Sequence, residues 1–126
     1  GAAHSAANPL TAHFDVIHGQ AVGLMLPHVV RFNGEDEVIA RAYAELVTGT
    51  TAASINGVPA HESLASLLED FMDAAGMPRD LKDCGVDATK IDLLSEEAAA
   101  QWTASFNPRD ITASDFTGLY SRAFGS

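Results

Sequence analysis

Two histidines near the start of the chain have the residue type and spacing for metal binding. His4 lies in a segment of helical character, and His18 lies fourteen residues later, where a second helix is expected to begin. Two imidazoles brought together by a helix–turn–helix can share a divalent metal, because neutral imidazole binds both zinc and iron. Solvated or hydrogen-bonded side chains are the alternative, and the spacing alone does not decide between them.

Other residues that could do chemistry are expected to have structural roles. His13 lies in the predicted turn and His28 follows a proline, so both are interpreted as structural, and His61 at the start of the fourth helix is assigned no role. Arg109, in an Asn-Pro-Arg loop, is expected to fix that loop by bonding carbonyl groups or a carboxylate.

The histidine pair must be positioned by two helices. The sequence predicts a helix from Gly1 to about Thr11, a turn over residues 12–17, and a second helix from His18 or Gly19 to Asn33. Apolar residues surround the axis of the second helix, which indicates burial on most sides. Pro27 predicts a kink, because it cannot donate to residue 23 and its ring crowds that carbonyl group.

Two more helices are predicted in the middle of the chain. The acidic run of Glu35, Asp36 and Glu37 opens the third, because acidic residues favour the positive end of a helix dipole. Residues 48–59 are predicted to form a small, polar loop. The fourth helix has an apolar stripe at helical spacing and ends before Gly76, a typical C′ residue. The stripe comprises Leu64, Leu67, Leu68, Phe71, Met72 and Ala75.

The last third of the chain is also predicted to be helical. A short helix near residues 90–94 leads into a segment of high helix propensity that ends at Trp102. Thr112, followed three residues later by Asp115, indicates a capping box at the start of the last helix. No run is a confident strand, so the predicted fold class is all-α with about six or seven helices.

Composition limits the classes of function. The 126 residues suffice for one domain, and 17 acidic against 7 basic residues give a net charge of −10, which argues against nucleic-acid and membrane-surface partners. The single cysteine, Cys84, is expected to be free and partly buried. The N-terminus has no basic n-region and the apolar run over residues 21–30 is half a membrane span, so a cytoplasmic protein is expected.

Three segments together resemble a known family. GAAHSAANPLTAHFDVIHGQAVGLMLPHVVRFN resembles the metal-site signature of the iron-containing (group III) alcohol dehydrogenases. NPRDITASDFTGLYSRAF is similar to the family's Asn-Pro-Arg stretch and terminal helix, and AAGMPRDLKDCGVD is similar to its linker. The resemblance implies the all-helical C-terminal domain of the dehydroquinate synthase-like, iron alcohol dehydrogenase fold, which in that family follows an α/β domain that binds NAD(P).

The resemblance also implies a metal site. The family's ligands are one aspartate and three histidines, of which the last two match His4 and His18. Residues 1–126 are thus expected to be a fragment that begins inside the ligand helix, without the NAD(P)-binding domain. The expected metal is Fe²⁺, with Zn²⁺ as the alternative. Asn8 stands where many members have a second histidine near nicotinamide and substrate, and an amide can orient groups there but cannot exchange protons near pH 7.

The implied activity is reversible NAD(P)-linked oxidation of a small primary alcohol to an aldehyde, with the isolated chain expected to be inactive. One alternative is an autonomous helical interaction domain without catalysis. Another is a related hydroxyacid–oxoacid transhydrogenase or maleylacetate-type reductase. A face left uncovered by the absent domain would favour a homo-oligomer.

Overall fold

In the computed structural model, which describes residues 1–48, 54–55 and 57–125, those ranges form six α-helices and two short paired strands. The predicted all-α fold class is confirmed. None of the described helices is long and apolar enough to cross a membrane. The elements are α1 (Ala2–Phe14), α2 (His18–Gly34), α3 (Glu37–Thr48), β1 (Ser54–Ile55), β2 (Val58–Pro59), α4 (Ala60–Ala74), α5 (Ile91–Ala100) and α6 (Ala113–Ala123), with 3₁₀ turns at Ala88–Lys90 and Trp102–Phe106.

Helix α2 is the centre of the arrangement. It packs against α1, α3, α4 and α6, while α1 also contacts α5 and the 3₁₀ turn at 102–106, and α5 packs on α6. The burial on most sides that its composition predicts is therefore observed, because four helices surround it. The largest fully buried side chains of the described core are Leu10, Met25, Leu81, Leu94, Phe116, Leu119 and Tyr120.

The turn between α1 and α2 is shorter than predicted. Helix α1 runs to Phe14 instead of ending near Thr11, and it ends because Asp15 adopts a left-handed conformation with φ 55°. Such a conformation is usual for glycine but is tolerated by aspartate. Val16, buried in the core, then leads directly into α2.

Helix α4 forms in the middle of the chain as predicted, but part of its apolar stripe is exposed. Gly76 has φ 69°, as expected for a C′ glycine, and it follows the end of α4 at Ala74 and the C-cap residue Ala75. Within α4, however, only Ala60 and Ala65 are fully buried, while Leu67 and Phe71 of the apolar stripe are exposed. The predicted loop over 48–59 includes the paired strands β1 and β2, and its other residues lie partly outside the described ranges.

Helix α5 is a single helix that ends at Ala100, two residues before the predicted end at Trp102. Gln101 is extended, with φ −68° and ψ 132°, and the chain turns into the 3₁₀ segment. The predicted capping box of α6 is confirmed, since Thr112 Oγ1 accepts from the Asp115 amide at 3.3 Å and Asp115 Oδ2 accepts from the Thr112 amide at 2.9 Å.

Candidate metal centre

His4 and His18 are brought together by the hairpin of α1 and α2. Their ring centroids lie 5.3 Å apart, with the ring planes inclined at 51°. Both residues are exposed, and within the described ranges neither imidazole makes a hydrogen bond or an ion pair. Their ring nitrogens are therefore available to a further group.

The distance between the rings fits coordination of one metal ion. Metal–nitrogen bonds of about 2.1 Å place the ring centroids of two imidazole ligands about 5 Å apart on the same ion. Neutral imidazole suits both Fe²⁺ and Zn²⁺. Among the described residues no cluster of three or more His, Cys, Asp or Glu side chains could hold a metal, so no third such side chain joins the pair within this part of the chain.

Helix α1 is held in place beneath His4 by close packing and two polar contacts. Its small buried residues allow close approach of its neighbours: Ala2, Ala3, Ala6 and Ala7. The Tyr120 hydroxyl donates to the carbonyl oxygen of Ala6 at 2.6 Å, and the hydroxyls of Ser5 and Thr103 are hydrogen-bonded at 2.6 Å. Burial, with the charge of Glu97, raises the pKa of Tyr120, so its phenol remains a donor.

His18 is fixed by its position at the start of α2. It is the first residue of that helix, between the buried side chains of Val16 and Ala21. The chain on both sides of His18 is thus embedded in the core, whereas the residue itself is exposed. A rigid backbone under each histidine is what a metal site requires to keep its geometry.

Asn8 lies one helical turn after His4, on the same face of α1. Its Nδ2 donates to Oε1 of Gln101 at 3.1 Å. This bond orients the amide and leaves Asn8 Oδ1 without a partner among the described residues. The side chain can therefore accept a hydrogen bond on the face that carries His4.

His13 and His28 make contacts within the fold. His13 Nε2 lies 2.7 Å from Glu97 Oε2 and joins α1 to α5. His28 is half-buried on α2, where burial and the positive charge of Arg31 lower the pKa of its imidazole, against the opposing effect of Glu69. The ion pair of His13 and the partial burial of His28 support the structural roles predicted for these histidines.

Arg109 fixes its loop as predicted. Its Nη1 donates to the carbonyl oxygen of Phe32 at 2.6 Å and to Glu35 at 2.8 Å, and the guanidinium lies 3.9 Å from the centroid of the Phe32 ring. His61, which was assigned no role, packs against the backbone of Gly34. Among the described residues, no further His, Cys, Asp or Glu groups with the histidine pair to hold a metal.

Cys84 is free and half-buried, as predicted. Burial raises the pKa of its thiol, and the charges of Asp80 and Asp83 act in the same direction. A thiol with a raised pKa is a poor nucleophile and a poor metal ligand near neutral pH. Cys84 packs against the hydrophobic core.

The segment after α5 contacts the histidine-bearing helix in a way that sequence reasoning missed. Gln101 meets Asn8 and Thr103 meets Ser5 across separations of 93 and 98 residues. Helical periodicity depends only on residues that are close in sequence, so it could not predict these contacts. The nearest indication was the Asn-Pro-Arg stretch that follows at Asn107.

The fold and the histidine pair define a helical domain that presents two neighbouring imidazole rings from one hairpin. Residues 1–124 match the C-terminal domain of the Fe-containing alcohol dehydrogenase family, and the chain belongs to this family. The resemblance described from the sequence is thereby confirmed.

Known members show the extent of the similarity. The chain is 33% identical over 129 aligned residues to lactaldehyde reductase of Escherichia coli K12, covering 98% of this chain and 32% of that protein. A crystal structure of 1,3-propanediol oxidoreductase superposes with a TM-score of 0.85 at 27% identity, and an alcohol dehydrogenase from Oenococcus oeni with 0.85 at 26%; each covers 98% of this chain and 32% of the other. The chain thus spans about a third of the length of these relatives.

Proposed function

We propose that this domain supplies two metal ligands, His4 and His18, to an NAD(P)-dependent alcohol dehydrogenase that interconverts a small primary alcohol and its aldehyde. The observation that carries the proposal is the 5.3 Å separation of two unpaired imidazole rings in a member of this family. Because the relatives are about three times longer, the remaining ligands and the nucleotide-binding domain are assigned to other parts of such a protein. Fe²⁺ is the proposed metal, with Zn²⁺ as the alternative.

His4, His18 and Asn8 have specific roles in the proposed alcohol oxidation. A metal held there supplies a Lewis acid, which polarises a carbonyl group or lowers the pKa of a bound alcohol. His4 and His18 hold it, and the buried backbone on either side keeps their rings aligned. Asn8, oriented by Gln101, accepts a hydrogen bond from the substrate hydroxyl or from water through Oδ1. An amide orients such a group but does not take its proton.

Metal binding to this chain tests the ligand assignment directly. Calorimetric titration with Zn²⁺ or, without oxygen, Fe²⁺ should show one binding event per chain. His4→Ala and His18→Ala should each weaken it at least as much as the roughly 10–100-fold loss that follows removal of a ligand's hydrogen-bonding neighbour. His13→Ala, which removes an exposed imidazole from the same helix, is the matched control. Equal affinity in all three variants would exclude the pair.

Activity measurements test whether the domain serves an alcohol dehydrogenase. The isolated chain with metal and NAD(P) should not oxidise alcohols, because catalytic sites generally need at least three protein ligands. In a full-length protein that contains this domain, His18→Ala should abolish both metal retention and alcohol oxidation. A metal-replete, active His18→Ala enzyme would remove His18 from the site.

A second candidate function is self-association through α4 without catalysis. The observation that favours it is the exposure of Leu67 and Phe71, one turn apart on the same helix face. Sedimentation of the chain tests this: a dimer that becomes monomeric in Leu67→Ser and Phe71→Ser supports it. A wild-type monomer at high concentration contradicts it.

A further inference from the structure

The side chains of Asn8 and Gln101 meet at the face of α1 that carries His4, and together they are here called the amide pair. Asn8 Nδ2 donates to Gln101 Oε1 at 3.1 Å. Asn8 lies one helical turn from His4, a spacing at which Cβ atoms are about 5–6 Å apart. Gln101 Nε2 belongs to the same planar amide group as Oε1, so it also lies beside Asn8. The amide pair is therefore a neighbour of the first histidine.

The amide pair leaves one acceptor and one donor without a partner. Asn8 Oδ1 and Gln101 Nε2 make no hydrogen bond to any other described residue. Among the described residues, Thr11 Oγ1 is the only side-chain nitrogen or oxygen that is both buried and unpaired, so the two free atoms of the amide pair reach the solvent. Turning both amide groups over would exchange the donor with the acceptor, and the pair thus presents one of each in either orientation.

The backbone of Gln101 is fixed from both sides, which makes the amide pair rigid. The Gln101 amide N–H donates to the carbonyl oxygen of Ala98 at 3.2 Å, and the Gln101 carbonyl oxygen accepts from the amide of Ala104 at 3.0 Å. Two residues later, the hydroxyl of Thr103 is bonded to that of Ser5 at 2.6 Å. Polar groups that are held in this way lose little side-chain freedom when they bind a ligand.

We infer that the amide pair binds a second hydroxyl group of the substrate, so that the site favours short diols and hydroxyaldehydes. This inference rests on the proposed function, in which the reacting oxygen lies at the metal held by His4 and His18. A hydroxyl group donates through its hydrogen and accepts through its oxygen, so it satisfies Asn8 Oδ1 and Gln101 Nε2 at once. A carboxylate only accepts and an ammonium group only donates, so each would leave one atom of the pair facing a group of its own kind.

The amide pair itself can be tested without catalysis. Gln101→Met removes both polar atoms of the Gln101 side chain, so the side-chain amide signal of Asn8 should shift in the NMR spectrum of a ¹⁵N-labelled chain. The side-chain amides of Asn33 and Asn107, which bond to each other, are the internal control, and their signals should stay in place. An unmoved Asn8 signal would overturn the pair.

The preference is tested in the full-length, metal-loaded protein with 1,2-ethanediol and 1-propanol, which differ by a hydroxyl in place of a methyl group. Wild type should have the higher kcat/KM for the diol, because a site that hydrogen-bonds a hydroxyl rejects the analogue that lacks it. Gln101→Glu keeps an acceptor for Asn8 Nδ2 but replaces the donor with a second acceptor. It should lower the ratio of the two kcat/KM values, diol over propanol, by about tenfold, mostly through KM for the diol. Ser105→Ala, which removes a hydroxyl bonded to the Trp102 carbonyl in the same segment, is the control and should leave the ratio unchanged.

The outcomes separate this inference from the proposed function. An unchanged ratio in Gln101→Glu, or an equal fall for both alcohols, overturns the hydroxyl site and leaves the dehydrogenase intact. A protein that oxidises neither alcohol but binds 1,2-ethanediol more tightly than 1-propanol in equilibrium dialysis, with that difference lost in Gln101→Glu, refutes the oxidation and supports the hydroxyl site. A protein that neither oxidises nor binds the diol overturns both.

Discussion

The hydroxyl of Tyr120 donates a 2.6 Å hydrogen bond to the carbonyl oxygen of Ala6. Tyr120 is fully buried on α6, and Ala6 lies two residues after His4 on α1. The last helix of the domain thus holds the turn that carries the first histidine, across a separation of 114 residues. The alignment of the histidine pair depends on helices at both ends of the chain.

Tyr120→Phe should lower the free energy of unfolding by about 1–2 kcal/mol, because it removes a buried donor and leaves the core volume almost unchanged. Urea unfolding measures this change. Tyr43→Phe is the matched control, since the Tyr43 hydroxyl accepts from Asn33 at 3.1 Å in a half-buried position, and its effect should be smaller. A Tyr120→Phe protein as stable as wild type would show that the bond contributes nothing.

Two glycines of α2 should respond differently to substitution by alanine. A methyl group at Gly34 would overlap the ring of His61 and lie 2.8 Å from its Cβ, close to the backbone of α4. At Gly23 the nearest atom is Sδ of Met72 at 2.8 Å, on a flexible side chain that can move. Gly34→Ala should therefore lower the free energy of unfolding by about 1–3 kcal/mol. Gly23→Ala should leave it nearly unchanged, because a gain in helix propensity of about 1 kcal/mol offsets the small rearrangement of Met72.

Thermal or urea unfolding of both variants measures the difference. The comparison is informative because both glycines lie in the same helix and the backbone at both positions is helical. Equal stability of the two variants would contradict the close packing of His61 against Gly34.

His28 predicts a loss of stability in mild acid. Burial and the charge of Arg31 lower the pKa of His28 in the folded protein, so the unfolded chain takes up this proton first as the pH falls below about 6.5. Stability should therefore decrease from pH 7 towards pH 5, by up to about 1.4 kcal/mol per pH unit from this group. His28→Gln should reduce that decrease.

The measurement is urea unfolding at several pH values in the presence of a chelator. Arg31, Arg79 and Arg122 disfavour the charged imidazole, and Glu69 favours it. His4→Gln, which removes an exposed imidazole without a hydrogen bond, should retain the wild-type decrease. An identical pH dependence in His28→Gln and wild type would exclude His28 as its source.

The helical fold and the pairing of His4 with His18 could be predicted because their signals are local. Helical periodicity, the Gly76 stop and the Thr112 capping box each depend on residues within a few positions. The family signature supplied the histidine pair for the same reason, since all of it lies in the first 33 residues.

What could not be predicted depends on contacts between distant segments. Helix α1 runs three residues beyond its predicted end and stops at the left-handed Asp15, although no glycine marks the position. The apolar stripe of α4 was predicted, but Leu67 and Phe71 within it are exposed, because periodicity shows that a face is apolar and not whether another element covers it. The contact of Gln101 with Asn8 joins α1 to the extended residue after α5, and no local pattern predicts it.

Asn8→His should introduce a pH dependence that the present chain lacks at this position. The amide of Asn8 has no ionisation near neutral pH, whereas an imidazole on the same face of α1 would titrate near pH 6.5. In a full-length, metal-loaded protein, kcat/KM for alcohol oxidation should therefore gain an inflection between about pH 6 and 7. Asn8→Gln, a neutral amide of greater length, is the control and should show a lower rate without the inflection. Identical pH profiles for Asn8→His and wild type would place residue 8 away from the reacting groups, because an imidazole in contact with them would change their proton transfer as it ionises.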